Sequence, residues 1–308
     1  MSQRIETLKD LLGFYRTQTE ITDPGPHVDA YNALPEHIPA LCRTFQQNMV
    51  HMWWISEEAY GFTREMLEAG GRDILGEISL RTVAEMLDWI LERDPRPLTE
   101  LRTPPMRLVG NCRDYSVLLV SVLRHRGIPA RARTGAARYL HPDGSHLEDH
   151  WICEFWNGAD GRWQQADPQI DGVMTTSLKL PFDPIDLPEG QFLTGWQCYD
   201  ELASERVKPE EIGYPPDHCG MGYVLNKMLI DLASLTGAEV FPWAGWGIGG
   251  PDRGTVPGDR AVVERMVELL RGIDEPAVLQ EAHDAMATHE RLRCPSGYSA
   301  GSFQREWL

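Results

Sequence analysis

A cysteine at the start of a strongly amphipathic segment constrains the fold more than any other feature of the chain. Gly110 and Asn111 precede Cys112. The apolar residues that follow recur at the i, i+3, i+4, i+7 and i+8 positions of a helix, and they are Tyr115, Leu118, Leu119, Val122 and Leu123. This spacing predicts a helix that begins at Cys112 and ends at Gly127 and Pro129.

Short strand patterns follow this helix. They predict strands over residues 130–137, 150–156 and 162–166, and the polar segment HPDGSHLED at 141–149 separates the first two. A helix followed by an antiparallel meander indicates an α+β fold, in which the helix that carries the cysteine packs on the sheet.

The rest of the chain reads as helices and loops. Helices are expected over 4–16 and 36–54, and another is expected after Ser79, which is a plausible N-cap, with its end at Asp94. Further helices are expected near 222–236, 259–271 and 275–291. The glycine-rich segment 241–259 lacks the Gly-Lys-Ser/Thr of a phosphate loop, so we interpret it as an ordered loop anchored by tryptophans.

Length and pattern together suggest the domain organisation. The 308 residues suffice for one large domain or two medium ones. We divide the chain into a helical N-terminal extension over 1–79, a catalytic core over 80–185 and a loop-rich, helical C-terminal extension over 186–308. We expect the last segment to pack on the core as one unit.

Charge and composition narrow the partners. A net charge of −17 disfavours nucleic acid, because a phosphate backbone would be repelled. The N-terminus lacks the features of a signal peptide, and no stretch is apolar enough to span a membrane, so we expect a cytoplasmic protein. The six cysteines form no CxxC pair, so we expect free thiols and neither a metal site nor a cofactor.

The predicted helix start makes Cys112 a candidate nucleophile. Backbone N–H groups in the first helical turn lack partners within the helix, and the helix dipole is positive there. Both effects favour the reactive thiolate, and the same N–H groups can bind an oxyanion. A lone cysteine before an apolar helix is more often a packing residue, so further evidence is required.

Two other polar residues supply it. His150 opens the second predicted strand and Asp167 closes the third. A two-residue turn beginning at Gly158 would pair Asn157 with Asp160 and, in the same register, His150 with Asp167. Opposed residues share a face with Cβ atoms about 4.5–5.5 Å apart, whereas a longer turn would shift the register.

We therefore predict a triad. Cys112 attacks an acyl carbonyl, His150 takes the thiol proton and returns it to the leaving group, and Asp167 orients the imidazole. Cys153 alternates to the opposite face of its strand from His150, and we expect it to be inert.

A resemblance to the transglutaminase-like superfamily is carried by three segments, GNCRDYSVLLVSVLRHRGIPAR, EDHWICEF and RWQQADPQ, within roughly residues 80–170. The family pattern joins a Gly-x-Cys helix start, a Gly-Ile-Pro-Ala-Arg exit, a His-aromatic strand start and a Trp-x-x-x-Asp-Pro strand end. The matching residues are Gly110, Cys112, Tyr115, Leu118, Leu119, Arg124, Gly127, Ile128, Pro129, Ala130, Arg131, His150, Trp151, Trp163, Asp167 and Pro168.

The resemblance implies a papain-like core with helical N- and C-terminal extensions, and catalysis by Cys112, His150 and Asp167. It implies acyl transfer through a thioester on a small-molecule or peptide acyl donor, with an amine or water as acceptor, in a bacterial and biosynthetic setting. The alternatives are a purely hydrolytic peptidase or amidase, and a scaffold of the same fold without turnover.

One part of the family pattern is not assigned by the sequence. Enzymes of this shape often use an upstream Gln or aromatic side chain as a second oxyanion donor. Gln47, Trp53 and Trp54 are candidates, although a core role on the 36–54 helix is the more common one for the two tryptophans. Oligomeric state is left open.

Overall fold

The structure is a computed structural model that describes residues 4–214, 218–250 and 258–295. Its chain divides into two compact units, each assembled from separate segments. The Cys112 unit comprises Gln18–Ala130 and Ile152–Leu187. The His150 unit comprises the described parts of Met1–Thr17, Arg131–Trp151 and Pro188–Gly301. The three-segment division expected from the sequence stays a prediction.

Helices and strands are both abundant, which confirms the α+β class. The α-helices are α1 Leu8–Phe14, α2 Ile38–Asn48, α3 Arg64–Ala69, α4 Ile74–Glu77, α5 Val83–Arg93, α6 Cys112–His125, α7 Gly172–Leu178, α8 Gly195–Ala203, α9 Gly220–Leu235, α10 Asp259–Arg271 and α11 Pro276–Thr288. The strands are β1 Met49–His51, β2 Leu108–Gly110, β3 Ala130–Ala137, β4 Leu147–Asn157, β5 Arg162–Ala166, β6 Phe192–Thr194, β7 Ile212–Tyr214 and β8 His218–Cys219. The 3₁₀ helices are Gly25–Ala33, Glu58–Tyr60, Pro104–Met106, Pro209–Glu211 and Gly247–Gly249.

A two-stranded sheet and the pairing of β5 with the end of β4 shape the Cys112 unit. Strands β1 and β2 pair in parallel, with His51 opposite Gly110. The last residues of β4 pair with β5 in the antiparallel direction. An apolar cluster lies around β1 and β2, and it consists of Val50, Met52, Ile55, Phe62, Leu67, Ile74, Ile78 and Val109. This cluster anchors the strand that leads into α6.

The His150 unit contains the larger sheet, in the order β6-β3-β4-β7-β8. Strand β6 pairs with β3 in the antiparallel direction. Strand β7 pairs with the start of β4 in parallel, with Leu147 opposite Ile212. The predicted strands β3, β4 and β5 lie side by side in that order, and a strand from much later in the sequence, β7, joins β4 in parallel.

Helix α9 joins the sheet through a row of buried polar side chains. Tyr223 donates to the Gly135 carbonyl at 2.6 Å, and Ser234 donates to the Ala132 carbonyl at 2.8 Å. Between them, Asp231 accepts two bonds from Arg133, at 2.9 and 2.8 Å. Tyr223, Asp231 and Ser234 are separated by eight and three residues, which places them on one face of the helix.

Several predicted boundaries are wrong. The helix expected over 36–54 ends at Asn48, because the next three residues form β1. Ser79 is not the N-cap of α5, since its hydroxyl donates to the Leu75 carbonyl. The N-cap is Thr82, which forms a reciprocal capping box with Glu85.

Three further outcomes concern the loops. Strand β4 begins at Leu147, so its first three residues come from the segment expected as loop. The glycine-rich loop expected over 241–259 is described up to residue 250, where Trp246 donates its indole N–H to the Leu292 carbonyl at 2.9 Å. Residues 251–257 of that prediction lie outside the described residues.

Candidate active site

Cys112 is the first residue of α6, as the sequence predicts. Asn111 is the N-cap, with extended backbone at φ −124° and ψ 175°. Its side-chain oxygen accepts the Arg113 N–H at 3.0 Å, and Asp114 accepts the Asn111 N–H at 2.9 Å. This capping box fixes the first turn, in which the N–H groups of Asp114 and Tyr115 also donate to the Asn111 carbonyl, at 3.0 and 3.4 Å. The N–H of Cys112 has no carbonyl acceptor within the helix, because it precedes the first i−4 bond.

The strand before Cys112 approaches its neighbours closely. Gly110 accepts the Met52 N–H at 2.9 Å from the end of β1. A Cβ atom on Gly110 would lie 2.6 Å from the Met49 methyl and 3.1 Å from an Asp114 carboxylate oxygen. The glycine therefore lets β1, β2 and the capping box share a small volume, with Cys112 itself buried at 7% exposure.

Asp114 is a buried carboxylate two residues after the candidate nucleophile. It forms an ion pair with Arg113 at 3.1 Å, and both side chains are almost fully buried. Burial raises the pKa of Asp114 to about 6, although the charge of Arg113 and the N–H of Asn111 act in the opposite direction. A negative charge close to Cys112 is thus costly and is balanced by a local arginine.

Asp167 also lies in the Cys112 unit, directly after β5. It is fully buried. One carboxylate oxygen accepts the Gln169 N–H at 3.0 Å, and the Asp167 N–H donates to the Pro184 carbonyl at 2.7 Å. Gln46 of α2 holds the next stretch by donating to the carbonyls of Pro168 and Ile170, each at 3.0 Å. The carboxylate therefore has a fixed position.

His150 lies in the His150 unit as the fourth residue of β4, and it is buried. The Tyr139 ring packs edge-on against the imidazole, with centroids 6.0 Å apart. The neighbouring Asp149 is held by Lys227 at 2.9 Å and by the Tyr223 hydroxyl at 3.2 Å. The backbone of β4 at His150 is thus anchored through the side chain of the preceding residue.

The expected hairpin register is wrong. Asn157 pairs with Arg162 and Cys153 with Ala166, so the connection has four residues instead of two. The Asn157 side chain stabilises it by accepting the N–H of Ala159 at 3.0 Å, and the final residue of the turn, Gly161, has φ +64°.

The shift amounts to two positions and removes the register argument for opposing His150 to Asp167. A shift of two leaves each residue on its predicted face, because side chains alternate with a period of two.

The three predicted site residues are distributed over both units. Cys112 and Asp167 belong to one unit and His150 to the other. Sequence reasoning missed the supporting residues Asp114, Asp149 and Lys227. Asp114 follows the Asn-x-x-Asp spacing of a capping box, which was available in the sequence, whereas the Lys227–Asp149 contact joins residues too distant for any local pattern.

The candidates for a second oxyanion donor have a different setting from the one expected. The two tryptophans are not core residues of a helix, since α2 ends before them and Trp53 is 47% exposed. The backbone N–H of Trp53 donates to Nδ1 of His51 at 3.3 Å, and His51 is the last residue of β1. Trp53 therefore follows the strand that pairs with β2 and presents an exposed indole.

The other buried cysteines are poor nucleophiles. Burial raises the pKa of Cys42, Cys153 and Cys198, which disfavours the thiolate. Among residues 4–214, 218–250 and 258–295, no group of three or more His, Cys, Asp or Glu side chains is arranged to hold a metal ion. Within the same ranges, no helix is both long and apolar enough to cross a membrane.

Comparison with known families identifies a similarity within the core. Residues 92–168 match the model of the transglutaminase-like superfamily, and this range contains α6, β3, β4, β5 and all three predicted site residues. This segment is therefore similar to the transglutaminase-like superfamily, in agreement with the mixed α+β architecture.

The comparisons with solved structures and with curated sequences do not extend this similarity. A crystal structure described as a "Putative Cysteine Protease" from Cytophaga hutchinsonii shares 20% sequence identity, with a TM-score of 0.32. The match covers 54% of this transglutaminase-like chain and 46% of that protein, so this chain spans less than half of its length. No curated protein sequence matches the chain.

Proposed function

We propose that the chain is a cysteine acyltransferase or hydrolase in which Cys112, His150 and Asp167 form the catalytic triad. Its substrate is an amide or ester carbonyl of a small molecule or peptide. The observation that carries the proposal is the position of Cys112 at the capped start of α6, within the segment that matches the superfamily.

The helix start supports a nucleophilic role for two reasons. The partial positive charge there stabilises a thiolate. N–H groups without helical partners can donate hydrogen bonds to an oxyanion. Cys112 is also the candidate with the most suitable surroundings, because burial without a helix start raises the pKa of Cys42, Cys153 and Cys198.

The reaction follows from these roles. The Cys112 thiolate attacks the acyl carbonyl, and the resulting tetrahedral oxyanion is held by backbone N–H groups. The leaving amine or alcohol departs with a proton from the His150 imidazolium, which leaves a thioester on Cys112. An acceptor then loses a proton to His150 as it attacks the thioester, and the product and free thiol are released.

The buried Asp167 is suited to the third role. A carboxylate with a fixed position can hold an imidazole in one tautomer and stabilise its cation. We propose that its second role is to keep His150 basic in a buried setting, where desolvation alone would favour the neutral ring.

The acceptor is either an amine or water. An amine acceptor would make the chain an amide synthase or transamidase, and water would make it an amidase or peptidase. We favour the amine, since the acidic chain, with a net charge of −17, attracts ammonium groups.

The test is alkylation of Cys112 by iodoacetamide between pH 5 and 10, followed by mass spectrometry of the Cys112 peptide. In the wild type, the apparent pKa should lie well below the free-thiol value of about 8.5, and His150→Ala should return it to that value. A cysteine in a short unstructured peptide, alkylated under the same conditions, serves as the free-thiol reference.

Turnover then separates the remaining functions. Amide and ester substrates are incubated with and without an added amine, and Cys112→Ala should abolish all turnover. Amide product with the amine present indicates transfer, and acid product alone indicates hydrolysis. A wild-type Cys112 that titrates as a free thiol contradicts the proposal, and so does turnover that survives Cys112→Ala. Free-thiol titration together with no turnover on any of these substrates favours a scaffold.

A further inference from the structure

Strand β2 leads directly to Cys112, but β-strand pairing secures only one of its edges. Gly110 faces β1, where its carbonyl accepts the Met52 N–H at 2.9 Å. Backbone groups alternate along a strand, so Arg107 and Val109 present their polar groups to the other edge. Exposed strand edges are normally covered or paired.

A single ion pair covers this second edge. The Glu77 carboxylate accepts the Val109 N–H at 3.0 Å, and Arg72 donates to the Arg107 carbonyl at 3.0 Å. Arg72 and Glu77 are joined by two parallel bonds, one of them from Nε at 2.5 Å. The remaining guanidinium nitrogen of Arg72, Nη1, donates to the Pro105 carbonyl at 2.7 Å.

This arrangement copies the hydrogen bonds of a parallel strand. In a parallel ladder, one residue donates to the carbonyl of residue i−1 and accepts the N–H of residue i+1 of its neighbour. The Arg72–Glu77 pair makes the same two bonds with Arg107 and Val109. The pair therefore acts as a side-chain substitute for a third strand beside β2.

The surroundings make the pair rigid. The Glu77 side chain is 2% exposed and the Arg72 side chain 12%. The Trp89 ring lies against the Arg72 guanidinium, 4.6 Å from centroid to carbon, and Ile74 and Ile78 on either side of Glu77 are buried in the apolar cluster. A charge-assisted pair in a site of low polarity holds its geometry strongly.

We propose that Arg72 and Glu77 are positioning residues for Cys112. By fixing the edge of β2 that β1 does not pair with, they set where the Asn111 N-cap and the first N–H groups of α6 lie relative to the thiol. The inference rests on the proposed function, since it concerns the reactivity of the nucleophile. Neither residue is placed in contact with substrate.

The experiment measures the pH profile of Cys112 alkylation in the full chain for Glu77→Gln. This change removes the charge. It also replaces one carboxylate oxygen by an amide nitrogen, so at least one of the three N–H groups that donate to Glu77 loses its acceptor. We expect a higher apparent pKa of alkylation and a rate at pH 7 lower by at least about tenfold, because displacements of about 1 Å at a reactive centre can cost about 100-fold. Glu68→Gln, which breaks the exposed Arg64–Glu68 pair in the same unit, should leave the profile unchanged.

A double variant separates positioning from stability. In Arg72→Leu/Glu77→Leu no buried charge is left uncompensated, so the thermal midpoint should recover towards the wild type. The bonds to Arg107 and Val109 are still missing, so alkylation should stay slow. This variant also keeps the test valid if Glu77→Gln does not fold.

The outcomes are distinct. A double variant with both the wild-type midpoint and the wild-type alkylation profile overturns the inference and leaves the proposed function intact, as does an unchanged profile in Glu77→Gln. A wild-type Cys112 that titrates like a free thiol overturns the proposed function and the inference together.

Discussion

The backbone around Cys112 and the backbone around His150 are anchored by different kinds of contact. At Cys112 the anchoring residues are close in sequence, since Asn111, Arg113 and Asp114 form the capping box and its ion pair. At His150 the anchors come from α9, more than 70 residues away, through Lys227 and Tyr223. The first region is organised by helix chemistry, and the second by buried tertiary contacts.

The difference has an energetic consequence. Helix caps contribute about 1 kcal/mol each and can be lost without unfolding the protein. A buried charge that loses its partner costs far more, because it keeps the desolvation penalty and has no compensation. Substitutions in the α9 row should therefore destabilise the chain strongly, whereas those at the start of α6 should mainly change reactivity.

The largest effect is expected for Asp231→Ala. Its carboxylate accepts two bonds from Arg133 and the Thr134 N–H at 3.2 Å, and the Arg133 side chain is only 4% exposed. Removal takes away the carboxylate that balances the buried guanidinium, which should lower the free energy of unfolding by about 3–5 kcal/mol. Urea denaturation followed by circular dichroism measures the change.

A surface pair in the same unit provides the control. Asp200 lies 3.4 Å from Arg271, with both side chains about half exposed. Asp200→Ala should cost about 0–1 kcal/mol. Equal losses for the two variants would contradict the distinction between buried and exposed anchors.

The second prediction compares the same capping motif in the two units. Asp114 caps α6 from a buried position, and its pKa is raised to about 6 from 3.8 by burial. A raised carboxyl pKa means that the folded state binds the proton more tightly. The contribution of Asp114 to stability is therefore greatest below pH 4 and falls as the pH rises to 6, by up to about 3 kcal/mol.

Asp10 occupies the equivalent position in the capping box of α1 but is exposed, and hydrogen bonds from Thr7 lower its pKa. Its contribution is present above the unfolded pKa and is lost as the pH falls, which is the opposite sign. Denaturation of Asp114→Asn and Asp10→Asn at several pH values between 3 and 7 tests both. The quantity to compare is the difference in free energy of unfolding between the wild type and each variant, plotted against pH. Slopes of the same sign for the two differences would refute this prediction.

The same contrast explains what the sequence could predict. The start of α6 at Cys112 follows from a Gly-Asn-Cys sequence before an apolar helical pattern, all within one local window. The C-terminal end of α2 and the first residues of β4 do not follow from a local pattern, because pairing with distant residues determines them. Met49 leaves the helix to pair with Leu108, and Leu147 joins β4 by pairing with Ile212. Tertiary pairing overrode local propensity at both points.

The hairpin between β4 and β5 is an intermediate case. Its strands were predicted from alternation, yet its turn was not, because Asn157 can serve either as a strand end or as an Asx cap. The Arg72–Glu77 pair was also invisible in the sequence, since an Arg and a Glu five residues apart give no signal until the strand that they cover is known. The segments that carry the predicted site residues were therefore easier to recognise than the residues that hold them in place.

The smallest effect on stability is expected for Asn111→Ala, which removes the N-cap next to Cys112. Loss of a side-chain cap should cost about 1 kcal/mol. Thr82→Ala removes the matching cap of α5 in the same unit, where Thr82 accepts the Glu85 N–H at 3.1 Å, and it should cost a similar amount. Only Asn111→Ala should slow the alkylation of Cys112, because only that cap holds the first N–H groups of α6 in place next to the thiol. Equal slowing in both variants would show that Cys112 responds to stability in general and not to the geometry of its own helix start.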